Sequence, residues 1–243
     1  MKILIPTAKE LNLNQENVAF SPLNPLGQRV LSTLAGYSVK DLINLYKLSS
    51  ERASEELKRI QALRANEAPH FPALYLFDGL MYRHIKRDML KTEEREYLEK
   101  HVLITSALYG VIPAFLPIAP HRLDFQMRVT IGDQSLKSFW RDAYNQSLAD
   151  EELILSLLSS EFETVFSKEV RERMISFKFM EKKDGQLKVH STISKKARGA
   201  FLTALMAEGV LELEQIKSLT FAGFSYVDDL STDKELVFVK LVS

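Results

Sequence analysis

Between His101 and His121 the chain carries no charged side chain: VLITSALYGVIPAFLPIAP runs from Val102 to Pro120 without interruption. That length approaches what a membrane-crossing helix requires. Gly110, Pro113, Pro117 and Pro120 would break such a helix repeatedly, because each proline removes a hydrogen-bond donor and clashes with the preceding turn. The segment is therefore predicted to be a buried strand followed by turns, and the rest of the chain must supply apolar surface to cover it. With 46% hydrophobic residues in 243, it can do so. That length allows one large domain or two small ones.

The flanking pattern mixes strands with helices from start to finish. Lys2–Ile5 reads as a short apolar strand stopping at Pro6. Gly27–Gly36 reads as a helix. Ser38-Val-Lys-Asp41 reads as a capping box that opens a helix ending near Leu48. After a Ser49-Ser50 turn a second helix covers 51–63, with Ala53, Leu57 and Ile60 on its apolar stripe. Helices are further expected at 92–100, 136–149 and 194–208, and strands at 121–134, 153–160, 174–193 (two strands joined at Asp184-Gly185) and 219–242 (a strand, an acidic turn and a strand). No composition shift divides the chain. The fold class expected is mixed α/β: a single compact domain, residues 1–243, with a central, largely buried mixed sheet surrounded by helices.

Charge is balanced overall, 32 basic against 32 acidic residues, but segregated along the chain. From Asp142 to Glu163 there are six acids and no base. From Thr164 to Ala207 there are ten bases and four acids, a net of +6, and Gly185–Ala207 contains no acid. Lys195, Lys196 and Arg198 fall at the start of the helix expected at 194–208. Cations in a first turn oppose the helix dipole at about 0.3–1 kcal/mol each. A bound oxyanion, accepting from the free N–H groups and pairing with these side chains, would offset that cost. Gly199 would allow close approach, and Lys188 and His190 lie just upstream. The competing reading is that acidic segments pack alongside and neutralise the cations.

Several chemistries have no signature here. There is no cysteine, which excludes disulfides and thiolate sites. The five histidines show no two-histidine metal spacing, so no metal site and no cofactor are expected. No nucleophile elbow, Walker loop or dinucleotide fingerprint occurs. The amino-terminal MKILIPTAKE has no apolar stretch of the length expected in a signal peptide. A cytoplasmic location is expected.

Six fragments, in order, carry a resemblance: PTAKEL, SALYGV, APHRLDFQMR, Phe139-Trp140, SKKARGAF and KELVFVK. Together they resemble the peroxide stress protein YaaA family over nearly the whole chain. The resemblance implies a cytoplasmic bacterial protein of the oxidative stress response that limits free intracellular iron and DNA damage. It also implies a helix-hairpin-helix element in a basic cleft that binds DNA. Carried over residue by residue, the basic motif falls on Lys195, Lys196, Arg198 and Gly199. Further phosphate-binding candidates fall on Lys9, Arg122 and Arg128. The helix-hairpin-helix falls on 38–63, where Lys47, Arg52, Lys58 and Arg59 are the candidates to touch a DNA backbone; its turn, Leu48-Ser49-Ser50, lacks the glycines such a motif uses. The partner expected is DNA, duplex or branched and without sequence preference. Two alternatives stand beside it. One is an enzyme acting on a nucleotide or other phosphorylated small molecule, using Arg122, Asp124, Glu161, Lys195 and Arg198. The other is a protein-interaction role in iron homeostasis.

Overall fold

The computed structural model describes residues 1–242. The strands of the main sheet, in chain order, are β1 (Lys2–Pro6), β2 (Val102–Ser106), β3 (Gly110–Pro113), β4 (Ile154–Ser156), β5 (Met174–Lys183), β6 (Gln186–Lys188), β7 (Thr220–Phe221), β8 (Phe224–Tyr226) and β9 (Glu235–Leu241). Across the sheet they run β7-β8-β9-β5-β4-β1-β2-β3, with β6 paired to the far end of β5. The five inner strands, β9 to β2 in that order, are mutually parallel, and the outer pairings are antiparallel. The expected mixed sheet with surrounding helices is the fold observed.

Burial explains this arrangement. Parallel strands covered on both faces must be apolar throughout, and Ile3, Leu4 and Ile5 of β1 are fully buried. The principal helices are α1 (Pro25–Leu34), α2 (Val39–Tyr46), α3 (Ser50–Arg64), α4 (Thr92–His101), α5 (Leu136–Gln146) and α6 (Ser191–Ala207). Helix α2 opens with the reciprocal Ser38–Asp41 capping box that its sequence announces. It ends at Lys47, in the left-handed conformation with φ 50°, where the chain turns into α3.

The uncharged stretch forms the β2–β3 hairpin. Its tight turn is inside the protein, so each polar group needs an internal partner. Ser106 Oγ accepts from the N–H groups of Leu108 and Tyr109. From α5, Trp140 Nε1 donates to the Ala107 carbonyl at 2.7 Å, and the Tyr144 hydroxyl donates to the Ser106 carbonyl at 2.9 Å. The Tyr109 hydroxyl accepts from Ala119 N–H. Tyr109, Phe125 and Trp140 are thus core aromatics.

Two expectations need correction. The alternating segment 121–134 is not a strand beyond Thr130–Ile131 and Gln134–Ser135. Its apolar residues do turn inward: Leu123, Phe125, Met127 and Val129 are buried. Its backbone donors, however, go to carboxylates instead of to a neighbouring strand. Arg122 N–H donates to Glu56, Phe125 N–H to Glu161, and those of Gln126 and Met127 to Asp124. The second correction concerns α6, which begins at Ser191, three residues earlier than expected, because Ile193 packs against the core. Lys195, Lys196 and Arg198 therefore lie beyond the first turn, and the dipole penalty assigned to them does not apply there.

Gly110 has φ +83°, and a Cβ there would come within 2.8 Å of the Trp140 ring. Gly110→Ala is expected to cost about 2–4 kcal/mol through left-handed strain and overpacking. Thermal unfolding should then show a Tm lowered by on the order of 10 °C.

Candidate functional site

Strands β1 and β4 are neighbours, yet the chain leaves them in opposite directions, from β1 toward β2 and from β4 toward β5. Loops that diverge this way open a crevice at the carboxyl ends of the strands. A cavity of about 430 Å³ lies there. The loop after β1 contributes Pro6 to Glu10, and the loop after β4 contributes Ser159, Glu161 and Phe162. The 121–124 segment supplies another wall, and α6 supplies Thr192, Lys195 and Arg198.

Four of the basic residues singled out from the sequence meet at this cavity: Lys9, Arg122, Lys195 and Arg198. So do the carboxylates Asp124 and Glu161. The other candidates do not line it. Lys196 and Arg128 are exposed elsewhere, and Lys47 and Arg52 are exposed around the α2–α3 turn. Gly199 does not line the cavity and faces the 81–84 turn. A Cβ there would lie 2.2 Å from the Met81 carbonyl oxygen and 2.8 Å from the His84 Cβ. The missing side chain lets α6 lie against the 81–84 turn, and that contact aims Lys195 and Arg198 at the cavity.

The cations are only partly matched by the protein's own acids. Lys9 Nζ is 3.3 Å from Asp124 Oδ2. Arg198 and Arg122 each keep a buried Nε that has no partner among the described residues. A buried N–H left unpaired costs about 1–3 kcal/mol. Burial pulls the Arg198 pKa below its ordinary value, with Glu163 opposing that shift. The side chain remains a cation, since guanidinium does not lose its proton in proteins.

Glu161 has the opposite problem. Burial, then the nearby Asp124 charge, raises its pKa above the ordinary 4.5, against the Phe125 N–H bond and Lys9. Beneath the cavity, His121 Nδ1 meets the Ala119 carbonyl at 2.8 Å and must therefore carry the proton. Burial lowers the His121 pKa to about 4, so the ring is neutral at physiological pH.

Sequence reasoning passed over Glu56. It is buried on α3, accepts from Arg122 N–H at 2.7 Å and pairs with Arg59 at 3.1 Å. Burial raises its pKa, with the Arg122 N–H bond and Arg59 opposing. The signal was a carboxylate on the stripe Ala53, Glu56, Ile60, Leu63, all of whose members are buried. Glu56 ties the α2–α3 pair to the cavity wall.

A buried, largely parallel sheet with a cavity at its switch point, bordered by both cations and carboxylates, defines an α/β protein. The model of the family described as "Peroxide stress protein YaaA" matches residues 1–230. A "UPF0246 protein" of Streptococcus sanguinis (strain SK36) is 62% identical over 242 residues, covering 100% of both chains. Another of that name, from Streptococcus pneumoniae (strain CGSP14), is 59% identical with the same coverage. The chain belongs to the peroxide stress protein YaaA family.

Two measurements follow from this geometry. Gly199→Ala should lower Tm by several degrees, since the added methyl group has no room against Met81; a glycine kept for ligand approach would leave Tm unchanged. For Glu161, a raised folded-state pKa means the native state binds its proton more tightly than the unfolded chain. Stability from that source is present at low pH and is lost as pH rises from 4.5 through the raised value. Glu161→Gln removes this loss, so the Tm of the variant relative to the parent should climb between pH 4 and pH 7.

Proposed function

We propose that this peroxide stress protein binds DNA by its phosphate backbone at the mouth of the cavity. The observation that supports this is the pair of buried arginine Nε–H donors, on Arg122 and Arg198, with no partner among the described residues. A phosphate oxygen would satisfy such a donor and neutralise the cation, and charge-assisted bonds of this kind are worth about 1.5–3 kcal/mol each. Lys195 and Lys9 stand at the same opening. Lys9 would exchange Asp124 for phosphate. Contacts of this type carry no base information, so binding would be independent of sequence and steeply dependent on salt.

The cavity is far too narrow for a duplex, so one phosphate with its sugar would enter while the rest of the strand stays outside. In the helix pair α2–α3, Lys47 and Arg52 remain exposed to solvent, and they would meet DNA only as secondary contacts. Protection of DNA during peroxide exposure is the role this reading supports, in the cytoplasm of the cell. Limiting free iron, which the family resemblance also implies, rests on none of the cleft residues.

A second reading is favoured by one further observation. The cavity has the volume of a small-molecule site, and the carboxylates Asp124 and Glu161, with Glu10, border it beside the cations. An enzyme acting on a nucleotide or other phosphorylated compound would use this combination of groups.

Fluorescence anisotropy with a labelled oligonucleotide across salt concentrations separates the two. With about four phosphates neutralised, the slope of log K against log salt should be roughly −4. Arg198→Ala with Lys195→Ala should weaken binding at least tenfold at fixed salt, with an unchanged circular dichroism spectrum. Full binding by that folded variant would remove the cleft from the assignment. Thermal stabilisation by a mononucleotide, with no affinity for the oligonucleotide, would favour the enzyme.

A further inference from the structure

Strand β5 is much longer than its neighbour β4. The register aligns Leu4 of β1 with Ser156 of β4 and Ser176 of β5. β5 then continues to Lys183, seven residues beyond that level, which is roughly 23 Å at 3.3 Å per residue. This extension lies on the carboxyl-end side of the parallel sheet, the side on which the cavity opens. It pairs with β6 on one edge and β9 on the other. The hairpin β5–β6 therefore projects beyond β4 on the cavity's side of the sheet, and its own residues do not line the cavity.

Strand alternation fixes which side chains share a face. Phe177 and Phe179 pack against Phe201 of α6, so the odd-numbered residues of β5 lie on the α6 side. Lys183 belongs to that set. Lys188 lies directly opposite Glu181 in the register, and directly opposed residues project to the same face. Lys183 and Lys188 thus share a face with α6, which carries Lys195 and Lys196 in its second turn. All four lysines are exposed, and none has a carboxylate within 4.0 Å among the described residues. The cavity-lining Thr192 is four positions beyond Lys188, a reach of about 14 Å at most.

We infer that Lys183 and Lys188 on the β5–β6 hairpin form a phosphate track that continues from the cavity, so that a nucleic-acid strand held at Arg198 runs up the hairpin. The inference rests on the DNA reading of the cleft and moves the outer contacts away from the α2–α3 pair. A nucleic acid fits this surface better than a lipid headgroup layer does. On that face the lysines stand beside Glu181, while the exposed Leu187 alternates onto the opposite face; a membrane would need apolar side chains among the charges themselves. Each phosphate contact removed should make the salt slope shallower by about 1.

The test uses the full chain and the same oligonucleotide titration. Lys183→Gln with Lys188→Gln should make the slope shallower by about 2, at unchanged Tm. Lys183→Arg with Lys188→Arg should retain the parental slope. Should the Gln pair keep the parental slope while Arg198→Ala with Lys195→Ala still loses binding, the track is wrong and the cleft reading survives. An unmodified chain with no affinity for DNA sinks the cleft reading itself, and the track with it. A slope loss seen instead with Lys47→Gln and Arg52→Gln returns the outer contacts to the helix pair and overturns the proposal. So does a Gln pair that loses affinity for phosphatidylserine vesicles but not for DNA.

Discussion

Ile3, Leu4 and Ile5 touch no solvent, so their backbone groups must be satisfied by the two strands beside them. β2 and β4 do this, both parallel to β1. Everything at the functional end follows from that enclosure. Parallel neighbours end on the same side of the sheet, and β1 and β4 send their chains apart as they end. The crevice between them is thus a product of connectivity before any side chain is considered. The uncharged hairpin β2–β3 then seals the flank, with Trp140 and Tyr144 supplying the donors that an interior turn needs.

Carboxylates do the work of a strand along the cavity wall. Glu56, Asp124 and Glu161 accept from backbone N–H groups between Arg122 and Met127. A carboxylate that accepts backbone donors is held in place and has less capacity left for neighbouring cations. This explains how acids and arginines crowd one pocket while two guanidinium Nε groups have no partner among the described residues. The pocket is close to neutral in formal charge, but its unpaired hydrogen-bond capacity is on the donor side.

The elements legible in the sequence were those specified by local chemistry. The Ser38 capping box, the Asp184-Gly185 hairpin and the buried run before Gly110 each announce themselves over a few residues, and each is found. The segment 121–134 misled because alternation reports which side chains turn inward, not which groups receive the backbone donors. Glu56 and Glu161, its acceptors, lie 66 and 36 residues away from the donors they meet. The start of α6 misled for a related reason: Ile193 is drawn into the helix by packing that no local signal reveals. Among candidate site residues, the basic types pointed to the right region. Local reading could not separate Arg198, which faces the cavity, from Lys196, which does not. Nor could it separate a glycine that admits a ligand from Gly199, which admits a carbonyl oxygen of its own chain.

The pairing of β5 with β9 joins Ser176 to Glu235 and continues in register to Lys182 and Leu241. During synthesis the acceptor strand leaves the ribosome about 60 residues ahead of its partner, an interval of roughly 3–12 s at ordinary elongation rates. Throughout that interval one flank of β5, including Phe177 and Phe179, offers unpaired peptide groups to any nearby nascent chain. Slower elongation would lengthen that window in proportion, and with it the time for which a holding chaperone must cover the strand.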